Sequence, residues 1–523
     1  FTGSNGKLVA MKKLNRLLYL LAFAKFFVPF LLQSPDYGPH RDELLYLAEG
    51  AHPALGFMEV PPMISVFAWI TRHLGNSIFW IKCWPSLVGA LNLILIGKIV
   101  ISEGGRVFSL LLLFGCFFFT AYLRVHFLFQ PNCFEIFFYS LIAFGLIRHV
   151  RTSENKWLYL TGVGAGLGLL SKYSVAFYIV SLLPALLLTK QRNIFRNKHL
   201  YYSLGLAFFI FLPNLIWQIL HHFPLVYHME ELTSTQLQYV PTSDFLKDQL
   251  LMFLPCFYIW ITGFFYLLLN PKGRSFIFLC WAYLGVIAIL MWFHGKNYYA
   301  LGLYPVLFGF GSLAIEQWAT GGRIFLRYIF SAFTVLLGIY FIFIWLPVMG
   351  PEKLAAFYQK THAKGKGILR WEDQRDHTLP QDFADMLGWD EMAQKTSAAF
   401  HSLNQDEQLK TFIFCDNYGM AGAVNYYRKK YHLPEAYSDN ASFLYWIPDS
   451  LSFQNLVLLE SDPHEMQYGF IKEFSKATLT DSVTNPYARE KGTAIVLLTG
   501  ASEKFKKFFT DKLQADRKKT QGY

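Results

Sequence analysis

The chain has 523 residues, of which 54% are hydrophobic, 18% aromatic and only 16% charged. A soluble domain carries about 25% charged residues, so this composition excludes an ordinary water-soluble protein and assigns much of the apolar surface to a bilayer. The net charge of +11 would suit a nucleic-acid binder. Here, however, the basic residues gather in short loops between apolar runs, which is a membrane-topology signal, and no nucleic-acid partner is expected.

The first ten residues, FTGSNGKLVA, read as a cloning scar, and Met11 opens a native-like start, MKKLNRLLYLLAFAKFFVPFLL. Basic residues precede an apolar run there, as in a signal peptide, but no small-residue cleavage site follows. The run is expected to persist as a first membrane helix. With about 20 apolar residues needed per span, spans are expected at 15–33, 77–100, 107–123, 132–148, 157–171, 173–189, 200–220, 248–270, 276–293, 299–318 and 328–348, roughly eleven in all. The six cysteines show neither a disulfide framework nor a Cys-based metal site.

Charge sets the orientation. One set of alternating loops holds Lys12, Lys13, Arg16, Lys98, Arg106, Arg148, Arg151, Lys156, Lys190, Arg192, Arg196, Lys198, Lys272, Arg274, Arg323 and Arg327. The opposite set holds chiefly Arg41, Arg72, Arg124, Lys172, Lys247 and Lys296. The positive-inside rule then predicts a cytoplasmic N-terminus and a C-terminal part on the outer side. That C-terminal part, 350–523, follows a membrane domain at 11–349. Its segments TFIFCD, NLVLLE and AIVLLTG read as buried strands, with NYGMAGAVNYYRKKY as a helix between two of them. This alternation predicts a small α/β domain.

The first outer loop, 36–63, is dense in carboxylates: Asp36, Asp42, Glu43, Glu49 and Glu59. If 41–50 is a surface helix, Asp42, Tyr46 and Glu49 share one face. Periodicity alone equally allows a solvated acidic face. Further cations and carboxylates follow in the later outer segments: Arg124, His126 and Glu135, then Lys172, then His294 and Lys296. Each cation alone can snorkel to lipid headgroups; together they favour an anionic lipid substrate whose phosphate they hold. The stretch HHFPLVYHMEEL could offer His and carboxylate ligands to a metal, but without a recognised spacing it reads as a polar loop. GVGAGLG lies inside an apolar span and reads as close helix packing.

HRDELLYLAEG with the later Pro pair, GLLSKYS, HGKNYYALGLYPVLF and NYGMAGAVNYYRKKYHLPEAYSDNASFLYW resemble the membrane glycosyltransferases of the protein-mannosyltransferase and aminoarabinose-transferase superfamily, closest to bacterial family 39 members. The resemblance covers nearly the whole chain. It implies a GT-C fold, a polytopic helical membrane domain in the bacterial inner membrane, and transfer of a sugar from a polyprenyl-phosphate donor, usually with inversion. It also implies Asp42 as the catalytic aspartate with Glu43 as its acidic neighbour, and Lys172 and Lys296 near the donor phosphate. Arg124 and His294 are expected to assist at that phosphate, and Arg41, Tyr46, Glu59, Glu135 and Tyr298 to bind substrate. Two positions depart from the pattern: Glu59-Val60 stands where relatives often carry Asp-His, and Glu135 where Asp is common. The missing His weakens a metal role for that loop, and a divalent metal stays an open expectation.

The acceptor expected is a protein, lipid A or another glycan, with membrane lipid as a further partner. A lipid-linked sugar transporter or flippase is the alternative. It would place polar residues near mid-membrane in repeated halves, whereas here they cluster at one face. A non-catalytic scaffold would not require the acidic first loop.

Overall fold

The computed structural model of the protein describes residues 2–235, 241–449, 451–461 and 469–520. The membrane part contains α1 (Thr2–Leu32), α2 (Arg41–Glu49), α3 (Met63–His73), α4 (Ile78–Ser102), α5 (Val107–Phe118), α6 (Tyr122–Val125), α7 (Pro131–Thr152), α8 (Lys156–Ser171), α9 (Val175–Leu187) and α10 (Lys198–Leu220). It continues with α11 (Pro224–Thr235), α12 (Thr242–Leu251), α13 (Phe257–Leu269), α14 (Phe278–Trp292), α15 (Tyr304–Trp318) and α16 (Leu326–Trp345).

Each of the eleven apolar runs is largely helical, but the spans differ from the expectation. Among the described residues, six helices are long and apolar enough to cross a membrane, or up to eight if each of two bent pairs is one span. The breaks lie after α9, bent by 107°, and between α12 and α13, bent by 60°. Pro255 follows the second break and has no N–H to continue a helix. Helices α5 and α14 are apolar but have only 12 and 15 residues. The protein is therefore a multi-pass membrane protein with fewer full-length helices than hydropathy counts.

Lipid-facing surfaces are apolar, with Leu31 82%, Leu336 71% and Phe209 71% exposed, while small residues line helix contacts. A methyl added at Gly311 would lie 1.8 Å from the Ile259 carbonyl oxygen, and one at Gly263 1.9 Å from that of Leu307, so α13 and α15 touch backbone to backbone. In the GVGAGLG run, a methyl at Gly162 would meet the Ser203 carbonyl oxygen at 2.3 Å, so these glycines seat α8 on α10.

The C-terminal part adds α17 (Pro351–Lys360), α18 (Gln381–Ala384), α19 (Trp389–His401), α20 (Gln405–Gln408), α21 (Tyr418–Tyr431) and α22 (Glu503–Thr520). Its sheet contains β1 (Thr411–Cys415), β2 (Ala436–Tyr437), β3 (Asn455–Glu460), β4 (Phe474–Ser482) and β5 (Ala494–Ala501), in the order β2-β1-β3-β5-β4. The pairs β1–β2 and β1–β3 are parallel, β3–β5 and β4–β5 antiparallel. One face packs on α19 and α21 through Met392, Met420 and Val424, and that cluster takes in Leu44, Leu45 and Ala48 of α2. Helix α2 is thus an element of both parts, and this sharing positions the site.

Candidate active site

The N-terminus of α2 is fixed by a capping box. His40 Nδ1 accepts the Asp42 backbone N–H at 3.1 Å, and the Glu43 carboxylate accepts the His40 N–H at 2.8 Å. Such a cap satisfies donors that a helix start leaves open. Glu43 is fully buried and accepts from Lys82 Nζ at 2.6 and 2.7 Å and from the Phe129 N–H at 2.7 Å. Its acceptor positions are thus taken by groups of α4, the α6–α7 turn and the N-cap of α2. The two adjacent carboxylates, expected as a catalytic pair, thus differ in their surroundings: Glu43 is fully buried and bound by Lys82, while Asp42 is not.

Asp42 remains partly exposed. Its carboxylate accepts from the Tyr418 hydroxyl at 2.9 Å and from Gln130 Nε2 at 3.0 Å. The Arg41 guanidinium lies over the Tyr418 ring, 4.6 Å from its centroid. Glycines bring these groups together: a methyl at Gly419 would sit 2.7 Å from Arg41 Cγ, and one at Gly422 2.9 Å from Leu44 Cβ. Tyr46 is partly buried one turn along, and Glu49 follows fully buried, with no hydrogen bond to either carboxylate oxygen among the described residues. Burial, reinforced by Glu59, pushes the Glu49 carboxyl well above the usual carboxylate range.

The expected cations divide into two groups. Lys172 donates to Asn132 Oδ1, lies 3.2 Å from the buried Glu135 carboxylate and sits over the Tyr299 ring at 4.1 Å. Glu135 also accepts from the Ser174 hydroxyl at 2.5 Å. The Tyr298 ring lies between Lys172, at 5.1 Å, and Lys296, at 6.0 Å. Since Asp42 shares the Gln130–Asn132 turn with Lys172, one acidic side and one basic side meet there. Arg124 instead pairs with Asp382 of the C-terminal part. His294 is exposed on the preceding turn with a left-handed φ of 51°. Glu59 is bonded by the Ser442 N–H and hydroxyl at 2.5 and 2.6 Å, so it joins the two parts of the chain. His126, expected at the surface, is instead fully buried in the bundle against Gly89.

The stretch expected as a polar loop at 221–232 is mostly helix α11. A group of three possible metal ligands forms elsewhere, at His40, Asp382 and Asp385. These residues do not fit a divalent ion. With Nδ1 accepting a backbone N–H, the neutral ring carries its proton on Nε2, the nitrogen 3.7 Å from each carboxylate. Burial lowers the His40 pKa, but Asp382, Asp42 and Asp385 outweigh it and lift the value to about 9. Arg124 and Arg489 complete the network. Burial raises the Asp382 carboxyl, yet Arg124 and His40 hold it well below the usual range. Burial pushes Asp385 up to about 6 despite His40 and Arg489, which lies 3.3 Å away. A cavity of about 1150 Å³ lies beyond Arg489, lined by Tyr358, Lys364, Trp371 and Tyr487, and does not include Asp42.

Sequence reasoning missed Lys82, Gln130, Asn132 and Tyr418. A lone Lys within the apolar 77–100 run was a readable signal; the other three are ordinary polar residues without a local pattern. The family described as dolichyl-phosphate-mannose-protein mannosyltransferase matches residues 59–217. The chain is 27% identical over 205 residues to the lipid A galacturonosyltransferase RgtD of Rhizobium johnstonii, covering 36% of this chain and 41% of the relative's length. Two crystal structures of ArnT from Cupriavidus metallidurans are similar at 11% identity. The one bound to undecaprenyl phosphate has a TM-score of 0.62, covering 95% of this chain and 98% of that one. The apo structure has a TM-score of 0.60, covering 92% and 97%. The chain therefore shares the GT-C fold of the ArnT structures, with a small mixed sheet in its C-terminal part.

Proposed function

We propose that this protein is a glycosyltransferase that moves a sugar from a polyprenyl-phosphate donor to a hydroxyl or phosphate oxygen of an acceptor. The carrying observation is the juxtaposition of Asp42, held by Tyr418 and Gln130, with Lys172 at the Gln130–Asn132 turn. Membership of the donor class is supported by the ArnT structure with undecaprenyl phosphate, and a lipid A or related glycan acceptor by the RgtD match. A protein acceptor fits the mannosyltransferase segment.

In the proposed step the acceptor oxygen attacks the anomeric carbon as the bond to the donor phosphate breaks. The bonding pair leaves with the polyprenyl phosphate, giving inversion. Asp42 accepts the proton of an acceptor hydroxyl; its two hydrogen bonds aim the carboxylate and leave lone pairs open. Lys172 and Lys296, with Tyr298 between them, face the charge that grows on the departing phosphate. Arg41 and Tyr46 border the sugar. Arg124, Glu59 and Glu135 act by holding the cleft's walls, since each is engaged with a protein partner. His294 stands at the rim. No step is assigned to a metal.

The charge bias supports a cytoplasmic N-terminus, with a membrane domain at 11–349 followed by a periplasmic part at 350–523, and the bacterial relatives support an inner-membrane location. The test is to supply the purified chain with undecaprenyl-phosphate sugars and cell-envelope acceptors. Release of undecaprenyl phosphate with sugar on the acceptor is the expected result; movement of the intact donor across vesicles without bond cleavage would identify a transporter.

A further inference from the structure

Helices α1 and α4 run antiparallel in a register fixed at three points. Lys98 Nζ donates to Asn15 Oδ1 at 2.6 Å, a methyl at Gly97 would meet Leu18 at 2.3 Å, and the Phe30 and Phe79 rings lie 5.3 Å apart. The Tyr122 carbonyl that accepts from Lys25 Nζ also accepts the His126 backbone N–H at 3.2 Å, and Ser86 precedes Gly89 by three residues, on the same face of α4. Lys25 is 1% exposed; its Nζ donates to the Tyr122 carbonyl at 3.2 Å and makes no ion pair among the described residues. Ser86 is buried, its hydroxyl without a hydrogen-bond partner among the described residues. His126 approaches Gly89 so closely that a methyl there would lie 2.6 Å from its Cβ. Both His126 ring nitrogens are buried and likewise unpartnered.

These three side chains come from separate elements, and each has donor capacity to spare. An ammonium has three N–H groups, a hydroxyl one and a neutral imidazole one. Glu43, the carboxylate that reaches α4, is already bound by Lys82. An ammonium inside a helix bundle without a counter-charge is strongly disfavoured, and buried donors are normally satisfied. The Phe117 and Tyr122 rings flank His126 at 5.9 and 5.3 Å, which keeps the surroundings apolar and compact. We propose that Lys25, Ser86 and His126 bind a small monovalent anion of halide size between α1, α4 and the turn after α6. The anion supplies the missing counter-charge beneath the Glu43–Lys82 pair and holds α1 to the layer that presents Asp42. The site is independent of the proposed transfer reaction.

The test uses the full chain in detergent. Unfolding midpoints are compared in sodium chloride, sodium bromide and sodium gluconate at equal ionic strength, for wild type and Lys25→Met. Halide should raise the wild-type midpoint saturably, as a ligand of the folded state does, and Lys25→Met should lose that dependence. Crystals grown in bromide should show anomalous density within hydrogen-bond reach of Lys25 Nζ. Equal wild-type midpoints in all three salts, or a halide effect that persists in Lys25→Met, would overturn the site. If Lys25→Met does not accumulate, the bromide density in the wild type decides alone, and its absence refutes the proposal.

Discussion

At the scale of single residues, the buried Glu43–Lys82 pair and the more exposed Lys296–Glu372 pair should behave differently although both join a lysine to a glutamate. The first has no exposed side-chain surface; in the second the groups are 3.9 Å apart with Glu372 half exposed. Removing one member of a buried pair leaves an uncompensated charge and costs about 3–5 kcal/mol, whereas an exposed pair is worth about 0–1 kcal/mol. Lys82→Met should therefore lower the denaturation midpoint in detergent far more than Lys296→Met does. Equal losses would mean that Glu43 does not depend on Lys82.

Glu49 gives a pH prediction of definite sign. Burial raises its folded pKa above the unfolded value. Its contribution to stability is therefore fully present below the unfolded pKa and is lost as pH rises through the folded value. Glu49→Gln, which cannot ionise, should match wild type in acid and become the more stable protein as pH rises. Unfolding midpoints recorded from pH 5 to 9 check this; parallel profiles would contradict it.

At the scale of elements, the contact of α13 with α15 is the most demanding. Because a methyl at Gly311 would sit 1.8 Å from a backbone oxygen, no side-chain adjustment can relieve it. Overpacking of this kind costs about 1–3 kcal/mol or more, so Gly311→Ala should reduce folded yield in size-exclusion profiles, while Gly205→Ala, where nothing lies within 4 Å, should not. The elements legible in the sequence were those with a strong local signal. The apolar runs announced helices, and the apolar segments TFIFC, NLVLLE and AIVLLTGA announced β1, β3 and β5. Strand β4, FSKATLTDS, was not legible because it is a largely exposed edge strand, and β2 because it has only two residues. Helix α2 was expected with Asp42, Tyr46 and Glu49 on one face, but its contact with α21 depends on residues up to 376 apart in the chain.

At the scale of the whole molecule, the same long-range closure explains why the Lys82 partner of Glu43 and the Tyr418 partner of Asp42 were overlooked in the sequence. Adjacent acidic residues invite pairing, yet a helix turns successive side chains by about 100°, and only the fold shows Lys82 waiting for one of them. The C-terminal part is likewise tied to the membrane part through Tyr418–Asp42, Ser442–Glu59 and Arg124–Asp382. If the charge bias sets orientation, a cysteine introduced at Lys410 should react with an impermeant maleimide in intact spheroplasts, and one introduced at Arg192 only after lysis. The reverse pattern would invert the assigned topology.

The most direct measurement is single-turnover release of undecaprenyl phosphate from its sugar conjugate by wild type, Asp42→Asn and Glu43→Gln, each normalised to folded protein. Loss of a positioned proton acceptor should slow Asp42→Asn by about 10²–10⁴-fold, while folded Glu43→Gln should retain more activity because the Glu43 carboxylate is already bound by Lys82 and the Phe129 N–H. Full release by Asp42→Asn, or a larger loss in Glu43→Gln, would contradict the assignment of Asp42 as the base.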